Sequence, residues 1–315
     1  MSENLDTAKL NAGDDEIDLR ELFSAIWQGK WIIIATTFVF AVASVFYALS
    51  LPNIYKSEAL LGPVNAEAGM RLPGQLGGLA ALAGVNVGAN ASSKTTLAIE
   101  ILKSRDFIGR FIEKYDLYVP IIAAQGWDSV SDNLNIDSRI YNTSTSEWVR
   151  KGKKPLSTKP SPQETYNEFM KILDVSQDTN SGLIKISIIY YSPKIAKIWV
   201  DKMIKEINDE MRRRDISEAE KSINYLNEQV SRTNISDMRT MLYTLIEDQI
   251  KNLMLANVRD EYVFETIDPS VIPEEKFKPK RAFMVILYTM LGFFCSVFLV
   301  FFKKIIYLKR SNKNK

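Results

Sequence analysis

The sequence predicts an α+β fold: an α/β base beside a membrane, a long antiparallel helical hairpin projecting from it, and two flanking transmembrane helices. Three observations predict it. Two uncharged apolar blocks of 21 residues lie near the ends of a 315-residue chain. The segment between them alternates strand and helix patterns. Inside that segment an apolar stripe at helical spacing runs for 40 residues without a glycine or an internal proline.

The apolar blocks are Trp31–Leu51 and Ala282–Phe302. At about 1.5 Å rise per residue each reaches roughly 31 Å, enough for a hydrocarbon core of about 30 Å. The first could be read as a cleaved signal peptide, since Ala48 and Ser50 give a small-x-small pattern. It is too long for that, and the 30 residues before it are acidic rather than basic. Two spans place both termini on one side. Near the span ends the terminal flanks carry Arg20, Lys30, Lys303, Lys304, Lys309, Arg310, Lys313 and Lys315. The loop flanks carry Lys56, Lys276, Lys278, Lys280 and Arg281. Eight cations against five favour cytoplasmic termini. The expected organisation is therefore a cytoplasmic segment 1–30, a span 31–51, an exported domain 52–281, a span 282–302 and a cytoplasmic tail 303–315.

Before the first span, Leu19, Leu22, Phe23, Ile26 and Trp27 fall on one face of an expected short helix. Trp27, Lys30 and Trp31 suit a membrane interface. After the span, Tyr55–Leu61 reads as a strand. Gly69–Lys94 is rich in glycine and alanine but lacks the GxxxxGK[ST] pattern of a phosphate loop, so it reads as a flexible, weakly apolar flap, with a lipid- or glycan-contacting surface as the alternative. Thr95–Tyr115 reads as a helix and Trp127–Pro160 as a polar loop region. Pro162 starts a helix with Tyr166, Phe169, Met170 and Leu173 on one face. Gly182–Tyr191 is a strand rich in β-branched and aromatic residues.

Pro193 opens the long helix, expected to end at Arg232. Its second half carries Ile216, Ala219, Ile223, Leu226 and Val230 at spacings of three, four, three and four, a short heptad seam. Thr233-Asn234 reads as a turn. A returning helix over Ser236–Asn257 would direct Met238, Leu242, Leu245 and Leu253 inward, and Tyr262–Ile267 reads as a closing strand. A narrow hairpin cannot bury such a seam in a core of its own. The seam is expected to meet a second copy of the chain; pairing within the chain is the alternative.

The composition excludes several kinds of chemistry. The chain has 40 basic and 38 acidic residues, a net charge of +2, without the basic excess of a nucleic-acid protein. It has no histidine, hence no Ser-His-Asp triad and no histidine metal site. Cys295 is the single cysteine, so neither an intrachain disulfide nor a cysteine metal cluster can form. Carboxylate pairs such as Asp209/Glu210 and Glu218/Glu220 fall on what reads as the solvated side of charged helices. The run Arg212–Arg214 reads as salt links along or between helices, with a glycan-phosphate site as the alternative. No catalytic residue, cofactor site or metal site is expected, and the protein is not expected to be an enzyme.

Nearly the whole chain resembles the Wzz proteins, the O-antigen chain-length determinants of the polysaccharide co-polymerase class. The resemblance rests on DEIDLRELFSAIWQGKWII at Asp15–Ile33, on the NIYKSEALL strand, and on a proline-rich approach to the second span. The family pattern there is Pro-x2-Pro-x4-Ser-Pro-Lys-x11-Gly-x3-Gly. Here three residues separate Pro269 from Pro273, and Lys278 stands in place of the serine. Pro279, Lys280 and Gly292 match, and Ser296 replaces the second glycine. Serine keeps the position small, so close helix packing is expected to survive. The prolines should hold the approach extended, with Lys276, Lys278, Lys280 and Arg281 at the level of lipid phosphates.

The resemblance implies a non-enzymatic, ring-like homo-oligomer in the bacterial inner membrane with its main domain in the periplasm. It implies partnership with a Wzy-type polymerase that joins undecaprenyl-diphosphate-linked repeat units, and control of the modal number of repeats. A related class carries a tyrosine-kinase domain after the second span, which the 13 residues following Phe302 are not expected to supply. Length control of enterobacterial common antigen and an adaptor role in capsule or exopolysaccharide export stand as alternatives.

Overall fold

The computed structural model describes residue 27 and residues 29–64, 89–150 and 158–311. The helix expected before Trp27 and the flap residues 69–88 lie outside the described residues. The fold divides into two units, one within Met1–Leu51 and Pro279–Lys315, the other within Pro52–Lys278.

The first unit holds two long helices, α1 (Lys30–Ser50) and α8 (Arg281–Ser311). Both are long and apolar enough to cross a membrane. α1 begins and ends one residue before the expected span, and α8 runs nine residues past Phe302. Trp27 and Trp31 are exposed, and the Lys30 ammonium lies 4.8 Å from the Trp27 ring centroid.

The second unit is built on a four-stranded antiparallel sheet of order β6–β7–β1–β8. The strands are β1 (Tyr55–Pro63), β6 (Leu173–Gln177), β7 (Ile184–Tyr190) and β8 (Phe264–Asp268). Registers Ser57–Ile188, Ala59–Ile186 and Leu61–Ile184 place buried residues side by side. The alternate residues, Lys56, Glu58 and Lys185, line the open face and form ion pairs there. That alternation is what a sheet with one solvated face requires.

Helices cover the other face: α2 (Ala89–Lys103), α3 (Arg105–Lys114), α4 (Tyr118–Ala123), α5 (Pro162–Ile172) and the first half of α6 (Pro193–Arg232). An aromatic chain ties them to β7. Phe111 meets Phe169 at 5.8 Å, Phe169 meets Trp199 at 6.0 Å, and Trp199 meets Tyr190 at 4.6 Å between centroids. Three serines start helices by accepting a hydrogen bond from a first-turn amide: Ser104 for α3, Ser161 for α5 and Ser192 for α6. In the last two, proline follows the cap, where its missing N–H costs nothing.

α6 is a continuous 40-residue helix, as the stripe predicts. From Pro193 to Met211 it is buried against the sheet. Beyond that point only Ala219 is fully buried, and the partner is α7 (Ser236–Val258). The buried face of α7 differs from the expected one. Ile246 and Ala256 are buried and Leu242, Gln249 and Leu253 half-buried, a four-three-four-three stripe. Met238 and Leu245 point outward, Leu245 being 41% exposed. The expected set took Leu245 for Ile246, one position and about 100° around the helix.

Other expectations are corrected. The residues Ala89–Lys94, read as flap, already belong to α2. The helix expected over Thr95–Tyr115 is two helices, since the Ser104 cap breaks it. The region read as loop, Trp127–Pro160, contains most of one small hairpin and all of another. They are β2 (Ala124–Asp128) with β3 (Asn133–Ile136), and β4 (Tyr141–Asn142) with β5 (Glu147–Trp148). Asp132 and Ser146 take left-handed backbone at φ 55° and 56° in their turns. Strand β6 had no distinct sequence signal, and β8 starts two residues later than the expected closing strand.

Candidate functional site: a close helix pair and its prolyl approach

α1 and α8 run antiparallel and pack along one line of residues. Gly29 faces Val300, Phe40 faces Gly292, and Arg281 reaches the end of α1. A Cβ placed on Gly292 would lie 2.5 Å from the Phe40 Cβ, a distance that real contacts essentially never show. Only glycine allows this approach without displacement of a neighbour. One turn on, Ser296 is fully buried, and its hydroxyl donates to the Phe293 carbonyl at 2.7 Å. Ser44 and Ala48 are buried on α1, and the Ser44 hydroxyl donates to the Ala41 carbonyl at 2.7 Å. Each serine satisfies its hydroxyl inside its own helix. That is why serine can stand in a tight apolar contact where the sequence pattern has glycine.

The Arg281 guanidinium caps α1. Nε donates to the Ala48 carbonyl at 2.9 Å and Nη2 to the Leu51 carbonyl at 3.1 Å. These belong to the orphan carbonyls at the negative end of a helix dipole. Sequence reasoning placed Arg281 among the lipid-facing cations; the structure gives it this second role. Phe40, Ser44 and Ala48 were also missed, though their four-residue spacing matches that of Gly292, Ser296 and Val300.

The prolyl approach forms no helix or strand, bends at Glu274 and Glu275, and is held by hydrogen bonds. The buried Ser270 donates to Asp201 Oδ1 at 2.5 Å, and the Ser57 hydroxyl donates to the Val271 carbonyl at 2.8 Å. The Phe277 amide donates to the Ile54 carbonyl at 2.8 Å, and an antiparallel bridge joins Ile54 to Lys278. Pro269 and Pro273 lie in the sheet unit. Pro279, Lys280, Gly292 and Ser296 lie in the helix-pair unit.

In the sheet unit, the proposed seam residues Ile216, Ile223, Leu226 and Val230 are half-buried and Ala219 is buried. They lie on the side of α6 that meets α7, so part of the seam is satisfied within the chain. Glu210 corrects another expectation, because it is buried rather than solvated. It accepts from Arg110 at 3.0 Å, Arg214 at 2.7 Å and Arg213 at 2.6 Å. The Arg110 hydrogen bond leads the causes that hold its carboxyl down at about 2, against the opposing effect of burial. Burial raises the pKa of the neighbouring Glu206, but hydrogen bonds from Lys114 and Tyr115 outweigh it and leave the carboxyl lowered. The Tyr115 phenol is pushed up to about 12 by burial and by Glu206. Arg212 pairs with Asp209 and donates to the Arg259 and Asp260 carbonyls. These charges join α3 to α6 and fasten the root of the hairpin, as the salt-link reading of Arg212–Arg214 expects. Among the described residues no group of three or more His, Cys, Asp or Glu could hold a metal ion.

Comparison with known proteins bears on the same regions. Residues 15–115 match the family model of the Wzz chain length determinant protein. That match covers about a third of the chain. Residues 234–305, from the hairpin turn into α8, match the family described as the G-rich domain on putative tyrosine kinase. The tyrosine-protein kinase wzc of Salmonella typhi is 25% identical over 141 residues, 43% of this chain and 18% of the kinase. The tyrosine-protein kinase etk of Escherichia coli K12 is 29% identical over 134 residues, 40% of this chain and 17% of the kinase. The chain thus spans less than a fifth of the length of these curated relatives. Among solved structures, a full-length bacterial polysaccharide co-polymerase aligns with 92% of this chain and 98% of its own, at 13% identity and a TM-score of 0.42. A fragment of WzzB, the polysaccharide co-polymerase from Salmonella Typhimurium, aligns with 72% of this chain and all of its own, at 9% identity and a TM-score of 0.31.

Proposed function

We propose that this protein sets the chain length of a bacterial surface polysaccharide, the O-antigen of lipopolysaccharide. It acts as an oligomeric scaffold beside a Wzy-type polymerase that extends undecaprenyl-diphosphate-linked chains. It catalyses no bond change itself. α1 and α8 span the inner membrane, both termini are cytoplasmic, and residues 52–281 stand in the periplasm. The observation that carries this reading is the Wzz match over residues 15–115, joined to a second match that ends in α8. The helix pair supports it, because two antiparallel apolar helices of this length suit a chain that crosses a bilayer twice.

A strain lacking its own length regulator, complemented with this gene, is expected to show lipopolysaccharide bands clustered around a modal length. An unclustered ladder at normal protein level contradicts the reading. A changed length of enterobacterial common antigen with an unchanged ladder would move the activity to that polymer.

The match to a kinase-associated domain, and the two kinases among the relatives, favour a second reading: an adaptor in capsule or exopolysaccharide export that works with a separate tyrosine kinase. Co-purification with such a kinase, together with loss of capsule on deletion, distinguishes this reading from the first.

A further inference from the structure

Near its root the α6–α7 hairpin is not closed by apolar packing. Toward the tip, Leu226 and Val230 on α6 and Leu242 and Ile246 on α7 line the sides that meet. At the root those sides carry Asp215, Glu218 and Ser222 on α6 and Gln249 and Asn252 on α7, and they border a cleft of about 390 Å³. Protein interiors leave few voids larger than a water molecule, and small-molecule sites begin at about 300 Å³. Val64, Leu255 and the buried Ala219 supply apolar surface in an otherwise polar wall.

One end of the cleft is braced. Lys94 pairs with Asp215, and its ammonium lies 4.6 Å from the Tyr262 ring centroid. The Tyr262 hydroxyl donates to Asp215 at 2.5 Å. The rest of the polar lining is uncommitted. Among the described residues, the side chains of Glu218, Ser222, Gln249 and Asn252 form no hydrogen bond or ion pair. They present a carboxylate, a hydroxyl and two carboxamides, a mixture of donors and acceptors. Lys94 and Arg259 offset Asp215 and Glu218, so the lining carries no net charge. Such a wall suits neither an ion nor a lipid chain. It suits a ligand built of hydroxyl groups, each both donor and acceptor, with a carbon face to set against Leu255.

We propose that Glu218, Ser222, Gln249 and Asn252 form a binding site for an uncharged stretch of saccharide, seated between α6 and α7. The carboxylate, the hydroxyl and the two carboxamides take sugar hydroxyls, and Leu255 meets a ring face. The proposal rests on the polysaccharide reading and gives the polymer itself a contact on this chain. It requires neither a polymerase partner nor a particular sugar.

The test uses the full chain in lipid nanodiscs and saturation-transfer NMR. The probe is a set of short fragments of the source strain's own O-polysaccharide, released from lipid by mild acid. Transfer of saturation to the sugar protons is expected, and it should survive high salt, which screens ionic binding. Gln249→Ala with Asn252→Ala should weaken binding by about fivefold for each carboxamide lost, with the unfolding temperature unchanged. Glu218→Gln keeps the shape of the wall and should by itself weaken binding about fivefold, through loss of a charge-assisted acceptor. Glu247→Ala, at an exposed position of α7 outside the cleft, should leave binding as it is. Binding equal in the wild type and in both cleft variants puts the polymer elsewhere and overturns the site. Binding lost in high salt overturns its uncharged character. Absence of transfer, from a chain that still gathers lipopolysaccharide bands in the complemented strain, overturns the site and leaves length control standing. Binding that falls in the variants, from a chain that gathers no bands, supports the site and contradicts length control.

Discussion

Gly292 on α8 stands against Phe40 on α1 with no room for a side-chain carbon between them. The relationship explains why one position of the proline-glycine pattern keeps glycine while the next accepts serine. Gly292→Val forces the helices apart and is expected to cost about 1–3 kcal/mol, the usual range for overpacking. Ser296→Gly leaves the contact in place and should change stability by less than about 1 kcal/mol. Thermal unfolding of the two variants in the same detergent checks the contrast. Equal losses would mean that the close approach at Gly292 is not what holds the pair.

The buried carboxylate of Glu210 predicts an acid-sensitive hairpin root. Its folded-state pKa is depressed to about 2 from an ordinary 4.5. The stability it contributes is present above pH 4.5 and is lost as the pH falls from there toward 2. Glu210→Gln should cost about 2–3 kcal/mol at pH 7, below the fully buried figure because the three guanidiniums are about half exposed. Urea unfolding of the isolated variant and wild type at pH 7 and pH 3 should show the difference shrinking in acid. A difference constant with pH would deny the ionised carboxylate its role.

Asn208 is a second buried polar anchor. Its Oδ1 accepts from the amides of Tyr262, Val263 and Phe264 at 3.1, 2.8 and 3.0 Å, and its Nδ2 donates to the Phe264 carbonyl at 3.1 Å. Asn208→Leu strands these groups at the entrance to β8, each buried one costing about 1–3 kcal/mol. Hydrogen exchange at residues 262–264 should accelerate well before exchange in β7. Unchanged protection there would mean that the strand holds its entrance without the asparagine.

The observed stripe on α7 separates hairpin stability from any contact outside the chain. Ile246→Asp puts a charge between α6 and α7 and is expected to loosen the hairpin, read as loss of helical circular dichroism and faster proteolysis near Thr233. Leu245→Asp, one residue away but exposed, should leave the folded chain intact. If Leu245→Asp nevertheless changes the size of the detergent-solubilised assembly, the outer face of α7 is a contact between copies. Ile223→Asp with Leu226→Asp should act first on the hairpin, because both residues face α7.

The long-range periodic features were legible in the sequence. The 40-residue stripe of α6 and the two uncharged blocks are large signals, because each repeats one requirement over many turns. The starts of α5 and α6 were legible for a local reason, a proline whose missing N–H suits the first turn of a helix; the serine caps before them were not read. Other features depend on what lies across the chain. The break at Ser104 reads as one more polar residue until its hydroxyl is seen to accept from Phe107. Leu245 and Ile246 are equally apolar, and only packing on α6 chooses between them. Glu210 looks solvated beside Asp209 until Arg110, a hundred residues earlier, is brought against it. The partner surface of Gly292 was open for the same reason, since the pattern asks for a small residue and does not say that Phe40 fills the space.

The most direct test of length control uses purified components. A Wzy-type polymerase reconstituted in liposomes with lipid-linked repeat units should by itself yield a broad distribution of polymer lengths. Adding the full 315-residue chain is predicted to gather the products around one modal length, with the rate of repeat-unit consumption within about twofold of the polymerase alone. A distribution unchanged across all ratios of the two proteins would contradict the account.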